Sequence, residues 1–401
     1  MTERDFATEV VERLAARGFT ALWAGGCVRD ELLGLVPADY DIATDATPEQ
    51  VQASFRRSNS FGASFGVVEV LGPRGDGGAW LKVQVATFRS DGTYTDGRRP
   101  DSVTYSSPEE DAKRRDFTVN GMFFDPTTGT VTDYVGGRAD LEHRVLRAIG
   151  DPVARFTEDK LRVLRAVRMA ARFGLTIEPA TFAAVRSMAT QVTTVSAERI
   201  GEELRKILTH PERVRGVELL RDAGLVAPIL PQAAAQIEDA IDRLRKLPTR
   251  VSFELAFATL LPALDAKGTA TVTRRLRLSN DEAARIGWLV AHRDALDAAE
   301  ALPLSKLKPL LAHAGAVELV ELHRARSADA GVAFVERFLA TTPAGELDPA
   351  PLVTGDDLAA FGMTPGPEFK RILAAVRDAQ LEGRLPSRSA ALALAETLRR
   401  N

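Results

Sequence analysis

The segment Trp23-Ala24-Gly25-Gly26-Cys27-Val28-Arg29-Asp30, followed about ten residues later by Asp39-Tyr40-Asp41-Ile42-Ala43-Thr44, decides how this chain is read. The first stretch runs as a short apolar strand into two glycines and then opens a helix at Glu31-Leu32-Leu33. Glycines there permit close backbone approach, and the free N–H groups of a starting helix favour an anion. Arg29 adds a fork of donors suited to phosphate oxygens. The second stretch reads as a strand, on which residues i and i+2 face the same side, so the carboxylates of Asp39 and Asp41 converge while Tyr40 points away. Two carboxylates held together repel unless a proton or a dication lies between them. Magnesium favours carboxylates together with substrate phosphates, and such ions steady the oxygens of a phosphoryl transfer. A glycine turn with an arginine and a strand-borne Asp pair close behind it suits nucleotidyl transfer.

Working outward, the first ~140 residues hold most of the β-branched runs, such as Gly66-Val67-Val68-Glu69-Val70 and Leu81 to Phe88. Residues 3–17 carry apolar positions at helical spacing (Phe6, Val10, Val11, Leu14), closed by Gly18. Beyond residue 155 strand signals nearly vanish, and Ala, Leu, Arg and Glu dominate in segments punctuated by Gly or Pro. The expected class is α+β: a mixed-sheet head followed by an all-helical remainder. A length of 401 residues allows two to four domains.

Hydrophobic residues make up 45% and charged residues 27%, an ordinary globular balance, and the formal net charge of −3 announces no global affinity for nucleic acid. Any such affinity has to be local. Between Lys113 and Arg172 there are 12 basic against 8 acidic residues, and the tail adds Lys370, Arg371, Arg377, Arg384 and Arg388. The single cysteine, Cys27, excludes an internal disulfide and reads as a small packing residue in a reducing compartment. The five histidines lack metal-ligand spacing. No apolar run approaches the ~20 residues that span a bilayer, and the charged N-terminus lacks a signal-peptide core. A cytoplasmic location is expected, and oligomeric state is left open.

A second arginine-bearing stretch stands on its own periodicity. At 100° per residue, Arg162, Arg165, Arg168 and Arg172 fall on one stripe, with Val163, Leu164, Val167, Ala170 and Ala171 opposite. Asp159, one turn before Arg162, is placed to fix its guanidinium.

In these motifs the chain resembles the bacterial tRNA nucleotidyltransferases (CCA-adding enzymes) and related poly(A) polymerases, the class II nucleotidyltransferases. Gly25 to Asp30 with Asp39-Tyr40-Asp41 resembles the family's first motif, and Arg114-Arg115-Asp116-Phe117-Thr118-Val119-Asn120-Gly121 its second. Asp133-Tyr134-Val135-Gly136-Gly137 is similar to the third, a hinge between head and neck. Glu158 to Arg165 is similar to the fourth, and Ser196-Ala197-Glu198-Arg199-Ile200 with Glu202-Glu203-Leu204 to the fifth. Thr87-Phe88-Arg89 and Asp96-Gly97-Arg98-Arg99-Pro100 resemble the flexible loop, and Gly355-Asp356-Asp357-Leu358 with Gly362 to Pro367 the tail.

The resemblance implies a catalytic head over 1–140, a base-selecting neck over 141–215, a helical body over 216–345 and an RNA-binding tail over 346–401. It implies Mg2+ on Asp39 and Asp41, and a nucleotide site of Gly26, Arg29, Arg115, Asn120, Asp159, Arg162, Arg165 and Arg168. Of these, Arg115 would hold the triphosphate, Asn120 the ribose, and Asp159 with Arg162 the base edge. Lys370, Arg371 and Arg377 would contact RNA. The implied activity is template-independent addition of C and A to the 3′ end of tRNA from CTP and ATP. The loop disfavours a CC-only enzyme, leaving A addition, poly(A) synthesis or a catalytically impaired RNA-binding relative as alternatives. One departure stands out: Gln84 occupies a position where many relatives carry a glutamate, with Glu69 on the preceding strand as a candidate substitute.

Overall fold

The computed structural model describes residues 1–59, 66–92, 102–326 and 330–400. The expected loop residues Asp96 to Pro100 lie outside them. The chain forms two compact units: Met1–Ile207 with Arg215–Pro231, and Leu208–Val214 with Gln232–Asn401.

The first unit is built on a seven-stranded mixed sheet. Its strands are β1 (Ala21–Ala24), β2 (Asp41–Thr44), β3 (Ser58–Asn59), β4 (Val67–Arg74) and β5 (Trp80–Thr87), while β6 (Arg89–Asp91) and β7 (Val103–Tyr105) form a separate hairpin. Strands β8 (Met122–Asp125) and β9 (Thr130–Asp133) complete the sheet, in the order β3-β4-β5-β2-β1-β8-β9. Only β2 and β5 pair in parallel; the other neighbours are antiparallel.

Alternation along each strand sorts the two faces. On β5, Leu81, Val83, Val85 and Thr87 are buried, whereas Trp80, Lys82 and Gln84 are exposed. The buried set joins Trp23, Ile42, Val68 and Val70 under helix α1 (Glu3–Ala15), which contributes Phe6, Val10, Val11 and Leu14. Each such aliphatic side chain contributes about 1.5–3 kcal/mol by leaving water. Helix α1 starts with a reciprocal capping box between Thr2 and Asp5. On the opposite face Ala24, Ala43 and Phe123 pack against Phe88 and Ala112, and Asp41 is carried at the head of β2.

Helices α2 (Gly26–Leu32) and α3 (Pro48–Ser54) connect the first strands, and α4 (Pro108–Lys113) precedes the second motif. Beyond the sheet come α5 (Gly137–Glu142), α6 (Pro152–Glu158), α7 (Arg162–Phe173), α8 (Pro179–Ser187) and α9 (Ala197–Leu208). The third motif is a built turn. The Asp133 carboxylate accepts the backbone N–H groups of Val135, Gly137 and Arg138 at 3.0, 3.1 and 2.9 Å. Gly137 is obligatory, since a Cβ there would lie 2.1 Å from the Thr118 carbonyl oxygen.

The second unit is helical among its described residues, as the fading of strand signals predicts. Its C-terminal helices Gly355–Ala360, Pro367–Leu381 and Arg388–Arg400 enclose a core of Leu358, Ile372, Val376, Ala391 and Ala395. No helix among the described residues is long and apolar enough to cross a membrane.

Candidate active site

The first motif is assembled by its glycines. Gly25 ends β1 at φ +75°, a conformation only glycine adopts without strain, and a Cβ there would meet Arg115 Nη1 at 2.6 Å. The turn therefore lets a guanidinium of the second motif lie against the backbone of the first. Cys27 is buried, its thiol directed at the Ala24 carbonyl and pushed by burial up to about 11, so it packs rather than reacts. Tyr40 turns inward, edge-on to Trp23 with ring centroids 4.7 Å apart, and its hydroxyl donates to Glu31 at 2.7 Å. Asp39 and Asp41, on either side of it, open onto one cleft, although only Asp41 belongs to the strand and Asp39 precedes it.

That cleft has a volume of about 510 Å3 and is lined by Gly26, Arg29, Asp39, Asp41, Arg115, Asn120, Asp159, Arg162, Arg165 and Arg168, every catalytic and nucleotide-site residue expected from the sequence. Gly25, Arg114, Asp116 and Met169 complete the lining. Although Asp41 opens to the cleft, protein packed around its carboxyl, and then the charge of Asp39, push its pKa up to about 6, with Arg115 opposing. A raised carboxyl beside a second carboxylate is the electrostatic state that a cation relieves.

Helix α7 presents its arginines as the periodicity predicts. Val163, Leu164, Val167, Ala170 and Ala171 are buried, while Arg162, Arg165 and Arg168 reach the cleft. Arg172 does not line it and lies over the Phe173 ring. Each cleft arginine is held by a carboxylate. Arg165 donates to Asp116 at 2.7 and 2.9 Å, Arg168 to Glu203 of α9 at 2.5 Å, and Arg162 to Glu158 at 2.5 Å.

One expected pairing is corrected. Asp159 does not fix Arg162; it receives Arg199 of α9 at 3.1 and 2.7 Å. The helical spacing fails because Asp159 is extended (φ −144°, ψ 103°) between α6 and α7, so the two residues do not share a helix. Arg114 and Arg115 of the second motif make no ion pair with the adjacent Asp116. Both arginines turn to Asp111 of α4, and Asp116 faces Arg165 and the Asn120 amide instead. Burial opposes the charge on Asp116, but Arg165, Asn120 and Arg162 outweigh it and hold the carboxyl well below the usual range. Arg29, read as a phosphate fork, is buried with Nε and Nη2 on Asp30 at 2.8 and 2.6 Å and Nη1 on the Asn120 side-chain oxygen. Its donors brace the cleft wall.

Gln84 is the register partner of Asp41 across β2 and β5, and Glu69 is in turn the partner of Gln84 across β4. At about 4.8 Å per strand, Glu69 stands two strands from Asp41. Its carboxylate faces Lys82 at 3.7 Å, and neither it nor Gln84 lines the cleft. Glu69 is thus not positioned as a substitute third carboxylate.

Among the supporting residues, Glu158 and Asp111 were within reach of sequence reasoning, being four residues before Arg162 and Arg115 at helical contact spacing. The contacts from Glu203 and Arg199 to α7 and its approach cross about 35–40 residues and leave no local signal. In the second unit, Arg371 pairs with Glu368 at 2.6 Å, Arg377 with Asp348 at 2.6 Å, and Lys370 is exposed.

A glycine turn, an acidic pair and an arginine-lined helix sharing one cleft define a nucleotidyltransferase head. In agreement, residues 21–147 match the poly A polymerase head domain, and residues 174–237 match the probable RNA and SrmB-binding site of polymerase A. The chain is 34% identical to the CCA-adding enzyme of Levilactobacillus brevis, over 98% of each chain, and 33% identical to that of Streptococcus sanguinis, over 95% of this chain and 94% of that one. A crystal structure of the Bacillus stearothermophilus CCA-adding enzyme in complex with CTP aligns with a TM-score of 0.81 at 28% identity, covering 100% of this chain and 98% of that one. The chain belongs to the CCA-adding enzyme family of nucleotidyltransferases.

Proposed function

We propose that this protein adds C and A nucleotides to the 3′ end of tRNA from CTP and ATP, without a template. The observation that carries the reading is the single cleft holding Asp39 and Asp41 together with Arg114, Arg115, Asp159 and Arg162. Its volume, about 510 Å3, lies in the ordinary range of small-ligand sites.

Asp39 and Asp41 would hold the divalent cation, magnesium by this reading. The donor set fits: two carboxylates share the cleft, and magnesium characteristically takes one or two carboxylates plus waters and substrate phosphates. When bound, the ion lowers the pKa of the RNA 3′-hydroxyl and neutralises charge on the triphosphate.

The remaining chemistry belongs to the chain's own groups. Arg115 and Arg114 take the triphosphate oxygens. Arg29, spent on Asp30 and Asn120, keeps Asn120 fixed for the ribose. Asp159 keeps lone pairs beyond those given to Arg199, and Arg162 keeps donors beyond those given to Glu158, so an acceptor and a donor remain for a base edge. The 3′-hydroxyl oxygen bonds the α-phosphorus, the bond to the β-phosphate breaks, and pyrophosphate leaves; no protein nucleophile takes part. Residues 1–140 serve as the catalytic head and 141–215 as the base-selecting neck. Residues 216–345 form the body, and 346–401, with Lys370, Arg371 and Arg377, hold RNA. The enzyme works in the cytoplasm beside its substrates.

The test is incubation with tRNA lacking its terminal CCA, giving CTP and ATP singly and together. The reading expects two C residues with CTP alone and CCA with both. Addition of A only to tRNA already ending in CC would assign an A-adding enzyme, and long A tails a poly(A) polymerase. No incorporation under any condition overturns the proposal.

A further inference from the structure

The carboxylate most heavily used around the cleft does not line it. Asp111 sits on α4, a six-residue helix begun by Ser107 and Pro108, and is 1% exposed. Its Oδ1 accepts Nε and Nη2 of Arg114 at 2.9 and 2.7 Å. Its Oδ2 accepts Nε and Nη2 of Arg115 at 3.2 and 2.9 Å. The backbone N–H of Arg89, at the start of β6, adds a contact to Oδ1 at 3.3 Å. One buried carboxylate thus grips two consecutive guanidiniums, each along the same edge.

Such a side-on, two-bond grip fixes a guanidinium in plane as well as in place. It leaves Nη1 of each arginine outside the grip, that of Arg114 lying 3.6 Å from an Asp91 carboxylate oxygen, and both guanidiniums line the cleft. Arg115 is constrained further, with Nη1 donating to the Asn120 carbonyl at 3.3 Å and its guanidinium 5.2 Å from the Phe123 ring centroid. The arrangement is costly to hold without the carboxylate: two adjacent cations repel, and long arginine side chains carry large rotamer entropy. Burial alone would raise the Asp111 carboxyl, yet Arg115 and Arg114 hold it below its ordinary value, so the grip persists at working pH.

We infer that Asp111 is a positioning residue for nucleotide transfer, locking Arg114 and Arg115 as one preset pair that receives the triphosphate of the incoming nucleotide. This rests on the reading of the cleft as a nucleotide site. Asp111 touches no substrate; it acts through the two arginines, and it governs phosphate affinity while leaving the choice of base to Asp159 and Arg162.

The experiment measures equilibrium binding of CTP, UTP and inorganic tripolyphosphate to the full chain and to Asp111→Asn, with melting temperature as the check on folding. The Asn variant is expected to bind CTP and tripolyphosphate about 10- to 100-fold more weakly, the range for losing charge-assisted hydrogen bonds. The ratio of CTP to UTP affinity stays unchanged, and in turnover KM rises more than kcat falls. A folded Asn variant that keeps tripolyphosphate affinity, or that loses affinity and base ratio together, overturns the inference. Should Asp111→Asn not fold, Arg115→Lys provides the second arm. It keeps the charge but cannot be held by two parallel bonds, and unchanged tripolyphosphate affinity in it overturns the inference equally. Failure of the unaltered protein to bind CTP or tripolyphosphate would sink the nucleotide reading itself, a distinct result.

Discussion

Two arginine-rich regions of this chain look alike as sequence and differ as structure. In the cleft, Arg114, Arg115, Arg165 and Arg168 are held by carboxylates whose side chains are only 2–9% exposed: Asp111, Asp116 and Glu203. In the C-terminal helices, Arg371 and Arg377 pair with Glu368 and Asp348, which are 56% and 68% exposed. A buried carboxylate that loses its partner pays a large desolvation penalty, so such pairs persist and preset the cleft before any ligand arrives. Exposed pairs contribute little and rearrange freely, which suits a surface that follows a phosphate backbone. Counting positive charge does not separate the two roles; the burial of the partner does.

The largest effect expected from breaking this contrast is at Asp41. Asp41→Asn should lower incorporation by roughly 10^3-fold or more, since cation-based stabilisation is worth several kcal/mol. The fold should not suffer. A carboxyl whose pKa is raised to about 6 on folding, from an ordinary 3.8, weakens the cation-free protein as pH climbs through that window. The melting temperature of Asp41→Asn at neutral pH, without divalent ions, should therefore equal or exceed that of the parent; a clear drop would contradict the assignment. The same titration makes Mg2+ affinity fall as pH drops below about 6, nearing tenfold per unit, because bound cation requires the ionised form. Calorimetry at several pH values checks this.

Next in size is Asp116→Ala, which removes the partner of Arg165, whose side chain is 37% exposed, and of the buried Asn120 amide. A loss of about 2–3 kcal/mol in urea unfolding is expected, mostly from the unsatisfied buried amide, since water screens the guanidinium left behind. Since its folded pKa is depressed, the stabilisation from Asp116 is present above the ordinary carboxylate range and fades as pH falls below it. Gly25→Ala comes third. Forcing a side chain into the left-handed region costs about 1–2 kcal/mol, and the new Cβ displaces Arg115, so thermal melting and CTP affinity should both drop. Smallest is Arg377→Ala: stability should change by less than about 1 kcal/mol, while the salt dependence of tRNA binding loses about one unit of slope. A stability loss as large as that at Asp116 would erase the distinction between the two regions.

Much of the cleft was legible because its parts are local. The glycine turn, the nearness of Asp39 to Asp41 and the arginine stripe of α7 are each set by near-neighbour chemistry, and all ten expected residues line one cavity. What failed were the partners. Asp159 was matched to Arg162 by helical spacing, yet an extended residue breaks the helix between them and hands Asp159 to Arg199, forty residues on. The carboxylate that holds Arg114 and Arg115 is Asp111, on the helix before them, and not the adjacent Asp116. Proximity in sequence ranks candidate partners only while one regular element contains them. Arg29 illustrates a different limit: its charge was evident, but the burial that commits it to Asp30 and Asn120 arises from the packing of α2 against α7 residues such as Phe173, which lies 4.1 Å beneath its guanidinium.

Strand β2 is fourth of seven in the sheet, with β1 on one side and β5 on the other. Its ladder on the β5 side closes only after the chain has passed Thr87, and on the far side of β1 only after Met122. During synthesis Asp41 therefore emerges long before its flanks, on a strand with a bare edge that invites pairing with other chains. Once both neighbours have zipped on, the same strand becomes the slowest to exchange its amide hydrogens, and the acidic floor sits on the part of the head least able to breathe.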